Sequence, residues 1–188
     1  SAVQAWLAET VGDAETSERR LIALQAMAAA SASSTPAALR LKELPAVWIG
    51  PVARAIADDN DIVAQQAVAV ARSFPAREGA VNELRAALDR LARQTMRTPD
   101  VRLNALAALA ATGDVPIDAE LFELLRSSLE ADTAVHRRTT AAAVVEKAAL
   151  DRTQLFALTR LLVSAGPLEL PRLLQAFDYG RDEALGLA

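Results

Sequence analysis

The sequence predicts an all-α fold: an α-α superhelix of four to five two-helix repeats, with right-handed stacking. Three observations predict it. Apolar residues recur at helical spacing along nearly the whole 188-residue chain, and strand-like alternation is nearly absent. Glycine and proline fall between the apolar-periodic segments. One helix is written several times, as "ETSERRLIALQAMAAAS", "DNDIVAQQAVAVARSFP" and "TPDVRLNALAALAATGD".

The elements follow in order. Val3, Trp6 and Leu7 mark a helix over 2–10, and Arg20, Ala23, Ala26 and Met27 mark one over 16–30. Thr35-Pro36 places a cap before a proline at a first helical position and predicts a short helix over 36–44. Ile49, Val52 and Ile56 give a helix over 46–58. Its opening "PAVWIG" is the best strand candidate, cut short by Pro45, Gly50 and Pro51. Asp61 starts a helix over 61–74, with Ala64, Ala67, Val70 and Ala71 in the small-residue slots. Leu84, Leu88 and Leu91 predict 78–96. Asp100 starts 99–112, which Gly113 closes as a left-handed stop. Leu121, Phe122, Leu124 and Leu125 predict 117–130. A fourth small-residue copy, "VHRRTTAAAVVEKAAL", lies in 133–149, its register open by one or two residues. Asp151 caps 151–164, Gly166 follows as a second left-handed stop, and a last helix is expected over 168–177.

The copies are spaced by 44 residues, then 38, then about 34 to 36, the range of two-helix repeats. A hairpin of this length cannot bury its own apolar face, so each copy supplies the missing half of its neighbour's core. Alanines let helices approach closely, and Leu, Ile and Phe of the partner helix fill the gap. The residues expected inside are Leu24, Met27, Ile56, Val63, Val70, Leu88, Leu91, Val101, Leu109, Leu125 and Leu161.

"WIGPVARAIADDNDIVAQQAVAVARSFP" resembles a HEAT repeat. It has an apolar helix carrying Pro51, an acidic corner of Asp58, Asp59 and Asp61, then small and apolar residues at helical spacing. "NELRAALDRLARQTMRTPDVRLNALAALAATGD" is similar, with Val101-Arg102 in its second helix. The resemblance covers residues 1 to about 149 and implies a HEAT-like solenoid. It departs where Ala64 stands in place of the usual arginine, which interrupts the expected Asp/Arg ladder. Residues 31–44 read as an insertion or extra helix. Residues 1–188 read as one solenoid domain cut from a longer protein: the chain opens on Ser1, and "RDEALGLA" resembles the start of a further repeat. "SAGPLELPRLLQAF" is similar to HEAT segments of large bacterial membrane-bound dehydrogenase-type proteins, where a propeller and a c-type haem domain flank the helical part.

Composition narrows the function. The chain is 52% hydrophobic, with a net charge of −4 and an isoelectric point near 5.1. An acidic chain lacks the basic footprint of a phosphate-backbone binder, so no nucleic-acid partner is expected. No long uncharged apolar run is present, so no membrane insertion is expected. The absence of cysteine removes disulfides, thiolate zinc sites and a cysteine nucleophile. Arginine outnumbers lysine eighteen to two, which fits a GC-rich coding sequence.

No residue set carries an enzyme's chemistry. His136 is the only histidine and reads as a surface residue near a helix start. Asp58, Asp59 and Asp61 with Asn60 lack the spaced ligands, glycine and distant glutamate of a calcium loop and read as corner caps. Trp6 and Trp48 read as core or capping residues, and Tyr179 as exposed in a turn. Arg90, Arg93 and Arg97 fall on one helical face. With Arg137 and Arg138 one repeat on they form either a basic stripe for an acidic partner or a solvated face with an Asp89–Arg93 pair. No catalytic, metal or cofactor-binding residue is expected, and no cofactor.

The expected function is a noncatalytic scaffold that binds a protein partner or neighbouring domains through the second helix of each pair. Gln65, Arg72, Arg102 and Arg138 are the candidate contact residues, with Arg90, Arg93 and Arg97 beside them. Two other readings stand. One is a spacer inside a dehydrogenase and c-type haem protein of the periplasm or cell envelope; outside that setting a cytoplasmic location is expected. The other is a nucleic-acid-binding HEAT-like domain.

Overall fold

The computed structural model describes residues 1–13, 16–37, 40–74, 81–113 and 115–179. Among them are ten helices: α1 (Ala2–Asp13), α2 (Ser17–Ala29), α3 (Ala46–Ile56), α4 (Asp61–Ser73), α5 (Val81–Arg93), α6 (Pro99–Ala110), α7 (Ala119–Ser128), α8 (Val135–Val145), α9 (Arg152–Leu162) and α10 (Leu170–Tyr179). The class is all-α, as the periodicity predicts. The described strands are two-residue pieces, β1 (Val115–Pro116) and β2 (Ala148–Ala149), paired parallel.

Two compact units divide the chain, Ser1–Thr112 and Gly113–Ala188. In the first, α1 packs on α2, α3 on α4 and α5 on α6. The first helices also pack in order, α1 on α3 and α3 on α5, and so do the second helices, α2 on α4 and α4 on α6. In the second unit α7 packs on α8 and α9 on α10, with α7 against α9 and α8 against α10. Each unit therefore has the packing expected of a helical repeat.

The second helices share a register that the sequence left open for the fourth copy. Counted from each helix start, the fourth place holds Arg20, Ala64, Arg102 and Arg138, and the seventh holds Ala23, Ala67, Ala105 and Ala141. All four alanines are buried, and Ala176 holds the seventh place of α10, also buried. A methyl there lets the neighbouring backbone come close. The space is filled by large buried side chains such as Leu24, Val70, Leu88, Leu106, Leu125 and Leu158. Of the expected core residues all are buried except Leu161, which is half-buried: α9 turns Gln154, Leu155 and Leu158 inward instead. Ala26 is exposed, because α2 presents Ala23, Leu24 and Met27 to the core.

Several element boundaries differ from expectation. The described residues of 36–44 form no helix. The segment is too short to nucleate alone, and Leu44 precedes a proline, which disfavours helical backbone. The chain here turns back onto the end of α2: Leu41 N–H donates to Ala30 O at 2.8 Å, and Thr35, just before the segment, donates from Oγ1 to Ala29 O at 2.6 Å. Thr35 thus closes one helix rather than opening another. "PAVWIG" forms the start of α3. The helix expected over 133–149 stops at Val145, because Ala148 and Ala149 leave to pair with Val115 and Pro116. The helix expected over 78–96 ends at Arg93, and tighter turns follow, with Gln94 N–H on Leu91 O and Arg97 N–H on Gln94 O. Gly113 has the positive φ of 134° expected of a stop. Gly166 does not; it is small because a methyl there would run into the Glu169 carboxylate. Tyr179 ends α10 rather than lying in a turn, and its side chain and "RDEALGLA" lie outside the described residues.

Caps explain the sharp helix starts. Asp151 accepts from Gln154 N–H at 2.8 Å while the Gln154 side chain accepts from Asp151 N–H, a reciprocal capping box. Gln154 also donates through Nε2 to Ile117 O at 2.7 Å, tying α9 to the chain entering α7. Asp118 caps α7 through Leu121 N–H, as Asp151 does for α9. Asn60 caps α4.

Candidate functional site

The polar side chains concentrate at the corners between paired helices. Arg20, in the first turn of α2, reaches the next corner and donates to Asp58 Oδ2 at 2.7 Å. Asp58 also accepts from Asn60 N–H, which sets the turn into α4. In the second unit Arg138 of α8 makes the equivalent contact, donating from Nε to Glu169 Oε1 at 3.2 Å in the corner before α10. Glu169 is 3% exposed at its side chain and Arg138 20%, so this pair is largely desolvated. Arg138 also donates to Ala131 O and Thr133 O in its own corner.

Ala64 holds the equivalent place in α4 and can reach nothing. Arg97 bridges that corner from the other side. It lies in the α5–α6 corner, 11% exposed, and donates to Asp61 Oδ1 and Asp59 O, each at 2.7 Å, and to Asp58 O. Arg20 and Arg97 therefore grip the same acidic corner from both neighbouring helix pairs. The ladder expected to break at Ala64 is rejoined by a residue that sequence spacing placed on a helix face. Arg97 is not in line with Arg90 and Arg93, because α5 ends at Arg93.

The other candidate residues fall into two groups. Arg102 donates from Nε to Ala92 O at 2.8 Å, satisfying a carbonyl in the last turn of α5. Arg93 pairs with Asp89 as the i,i+4 spacing predicts. Arg90 is exposed at the end of α5. Gln65 and Arg72 are exposed on α4, one face of which carries Ile62, Gln65, Ala69 and Arg72 in succession. Ile62, 64% exposed, was missed by the sequence reading. The available signal was an apolar residue one place ahead of the buried Val63 and Ala64, out of phase with the core.

Trp48 is buried. Its Nε1 donates to Gln4 O at 2.8 Å and its ring meets Phe74 edge-on at 6.1 Å. Trp6 departs from the expected core or capping role and stands out in solvent, because α1 turns Leu7, Ala8 and Val11 inward. His136 is exposed in the first turn of α8. On α7, Arg126 spans Glu123 and Glu130. Its hydrogen bond holds the Glu123 carboxyl below the ordinary carboxylate range, and Glu123 in turn raises Arg126. Among the described residues no group of three or more His, Cys, Asp or Glu could hold a metal ion, and no helix is long and apolar enough to cross a membrane. The corner carboxylates of Asp58, Asp61 and Glu169 face Arg20, Arg97 and Arg138.

Compared with models of protein families and with curated protein sequences, the chain matches none.

Proposed function

We propose that the chain is a noncatalytic scaffold, a HEAT-like α-α superhelix whose second helices carry the surface for a protein partner. The ordered packing of first helices on first helices and second on second supports this reading, because it aligns equivalent helix faces along one side of each unit. The corner arginines support it too. Arg97 and Arg138 spend their donors on carbonyls and carboxylates of the same chain, holding neighbouring pairs in register, and Arg102 ties α6 to the end of α5 within one pair. Gln65 and Arg72, with Ile62 beside them, form the contact face on α4: an apolar anchor flanked by polar groups, the composition of a protein interface.

Site-specific photo-crosslinking in the native host tests the proposal. Probes at positions 65 and 72 on α4 are compared with one at position 54, exposed on α3. The expected result is one shared protein adduct from 65 and 72 and none from 54. No adduct from either α4 position, or the same adduct from all three, overturns it.

A further inference from the structure

Helix α4 is covered on three sides, by α3 and by the second helices α2 and α6. Its fourth side is the strip Ile62, Gln65, Ala69 and Arg72, which runs the length of the helix. Ile62 is 64% exposed in the first turn, and Arg72 is exposed in the last. Between them only Gln65 and the half-buried Gln66 have side chains that can hydrogen-bond; the rest are alanine and valine. On the adjoining α2, Ile22 is 58% exposed in the sixth place, which Gln66 holds in α4 and Asn104 in α6. Neither of those two is buried, so the sixth place stays open even on a helix with second helices on both sides. Arg72 makes no hydrogen bond or ion pair among the described residues, which leaves its charge for a partner. The face is thus apolar at one end and carries a single cation at the other.

Resting on the reading that the second helices bind a protein, we propose that the partner lays an amphipathic helix antiparallel along α4. An acidic residue of its first turn meets Arg72, and an apolar side chain three turns later covers Ile62 and Ile22. Length points to a helix. Ile62 and Arg72 stand about 15 Å apart at 1.5 Å per residue, and a second helix advances at the same rate. An extended segment would span that distance with four or five residues, at about 3.3 Å each. Its backbone donors and acceptors would meet only the two glutamines, whereas a helix satisfies its own. Charge gives the direction. Carboxylates are favoured in the first turn of a helix and cations in the last. The antiparallel orientation brings the partner's first turn to Arg72; the parallel one would bring its last. The partner's contact face therefore reads as an acidic residue followed by small or apolar residues three, seven and ten places on.

Photo-reactive residues at positions 66 and 73 of the full chain, in the native host, test this. Both positions are half-buried beside the strip, and both leave Ile62 and Arg72 in place. The two adducts are mapped on the partner by mass spectrometry. The adduct from 73 is expected about seven residues before the adduct from 66 in the partner's sequence, the spacing of two antiparallel helices, with an aspartate or glutamate beside it. Arg72→Glu should lower the yield of the adduct from 66 about tenfold at unchanged helix content, and replacing the mapped partner carboxylate by arginine should restore it. The reverse order, a separation of about three residues as in an extended chain, or a yield indifferent to Arg72→Glu overturns the proposal. Those outcomes leave the scaffold reading standing, since a shared partner was captured; no adduct from 65, 66, 72 or 73 overturns both.

Discussion

The arginines show how much a single side chain does in this protein. Arg97 satisfies two corner carbonyls and pairs with Asp61 while almost wholly covered. Arg97→Ala should lower stability by about 1–3 kcal/mol, read as a lower urea midpoint at unchanged slope. Arg97→Lys should recover only part of that, because an ammonium cannot spread its donors over three acceptors as the planar fork does. Arg138→Ala should cost more, on the order of 3–5 kcal/mol, because it strands the buried Glu169 carboxylate. A double-mutant cycle with Glu169→Gln checks that the loss comes from the pair; additive losses would contradict it. The sequence made Arg102 legible as the equivalent of Arg20 and made Ala64 legible as the gap, while Arg138 was placed only once the start of α8 at Val135 fixed the register of the fourth copy. Arg97 was not legible as its substitute. Its spacing from Arg90 and Arg93 fits a helix face, and only the tight turns after Arg93 swing it toward the acidic corner.

At the scale of the helix, burial follows position rather than composition. Ala23 and Ala26 are both alanines of α2, yet one is buried and the other exposed. Ala23→Leu should destabilise by about 1–3 kcal/mol through overpacking, whereas Ala26→Leu should leave the thermal midpoint unchanged. Ala108→Glu places an unpaired carboxylate at a buried site in α6 and should cost several kcal/mol, about 3 or more. A midpoint like wild type would show that the phase of α6 is misassigned. On α7 the Glu123–Arg126 contact adds a small pH dependence. The folded-state Glu123 titrates below its unfolded value, so its contribution is present above the unfolded value and is lost as pH falls through the folded one. Most helices were legible because their apolar period and caps agree, as at Asp151 with Gln154. The exceptions were decided by distant partners. Thr35 and Leu41 give donors to the end of α2, and Ala148-Ala149 leaves the α8 pattern to pair with β1. The β1 partner lies 33 residues before Ala148, so no short window of sequence contains that signal.

For the whole molecule, the all-α class was legible from period and punctuation alone, since both are written continuously along the chain. The surface was less so. Ile62, Trp6 and Phe156 are apolar, and a hydrophobic pattern alone assigns such residues to the interior; their exposure depends on which helix packs on which. The same distinction applies to charge. A count of eighteen arginines invites a phosphate-binding reading, but a backbone binder needs guanidinium groups that are free to displace counterions. Here Arg20, Arg97 and Arg138 face carboxylates across the corners, Arg102 holds a helix-end carbonyl, and Arg93 and Arg126 pair along their own helices. Each of those contacts would have to break, or share its cation, before a phosphate gained anything, while the chain as a whole carries a net charge of −4. The protein is therefore expected to leave a short DNA duplex unretarded in a gel at about 50 mM salt, the condition that most favours such binding. Retardation that fades steeply as salt is raised would show that the exposed Arg72 and Arg90 form a working anion surface and would displace the protein-scaffold reading.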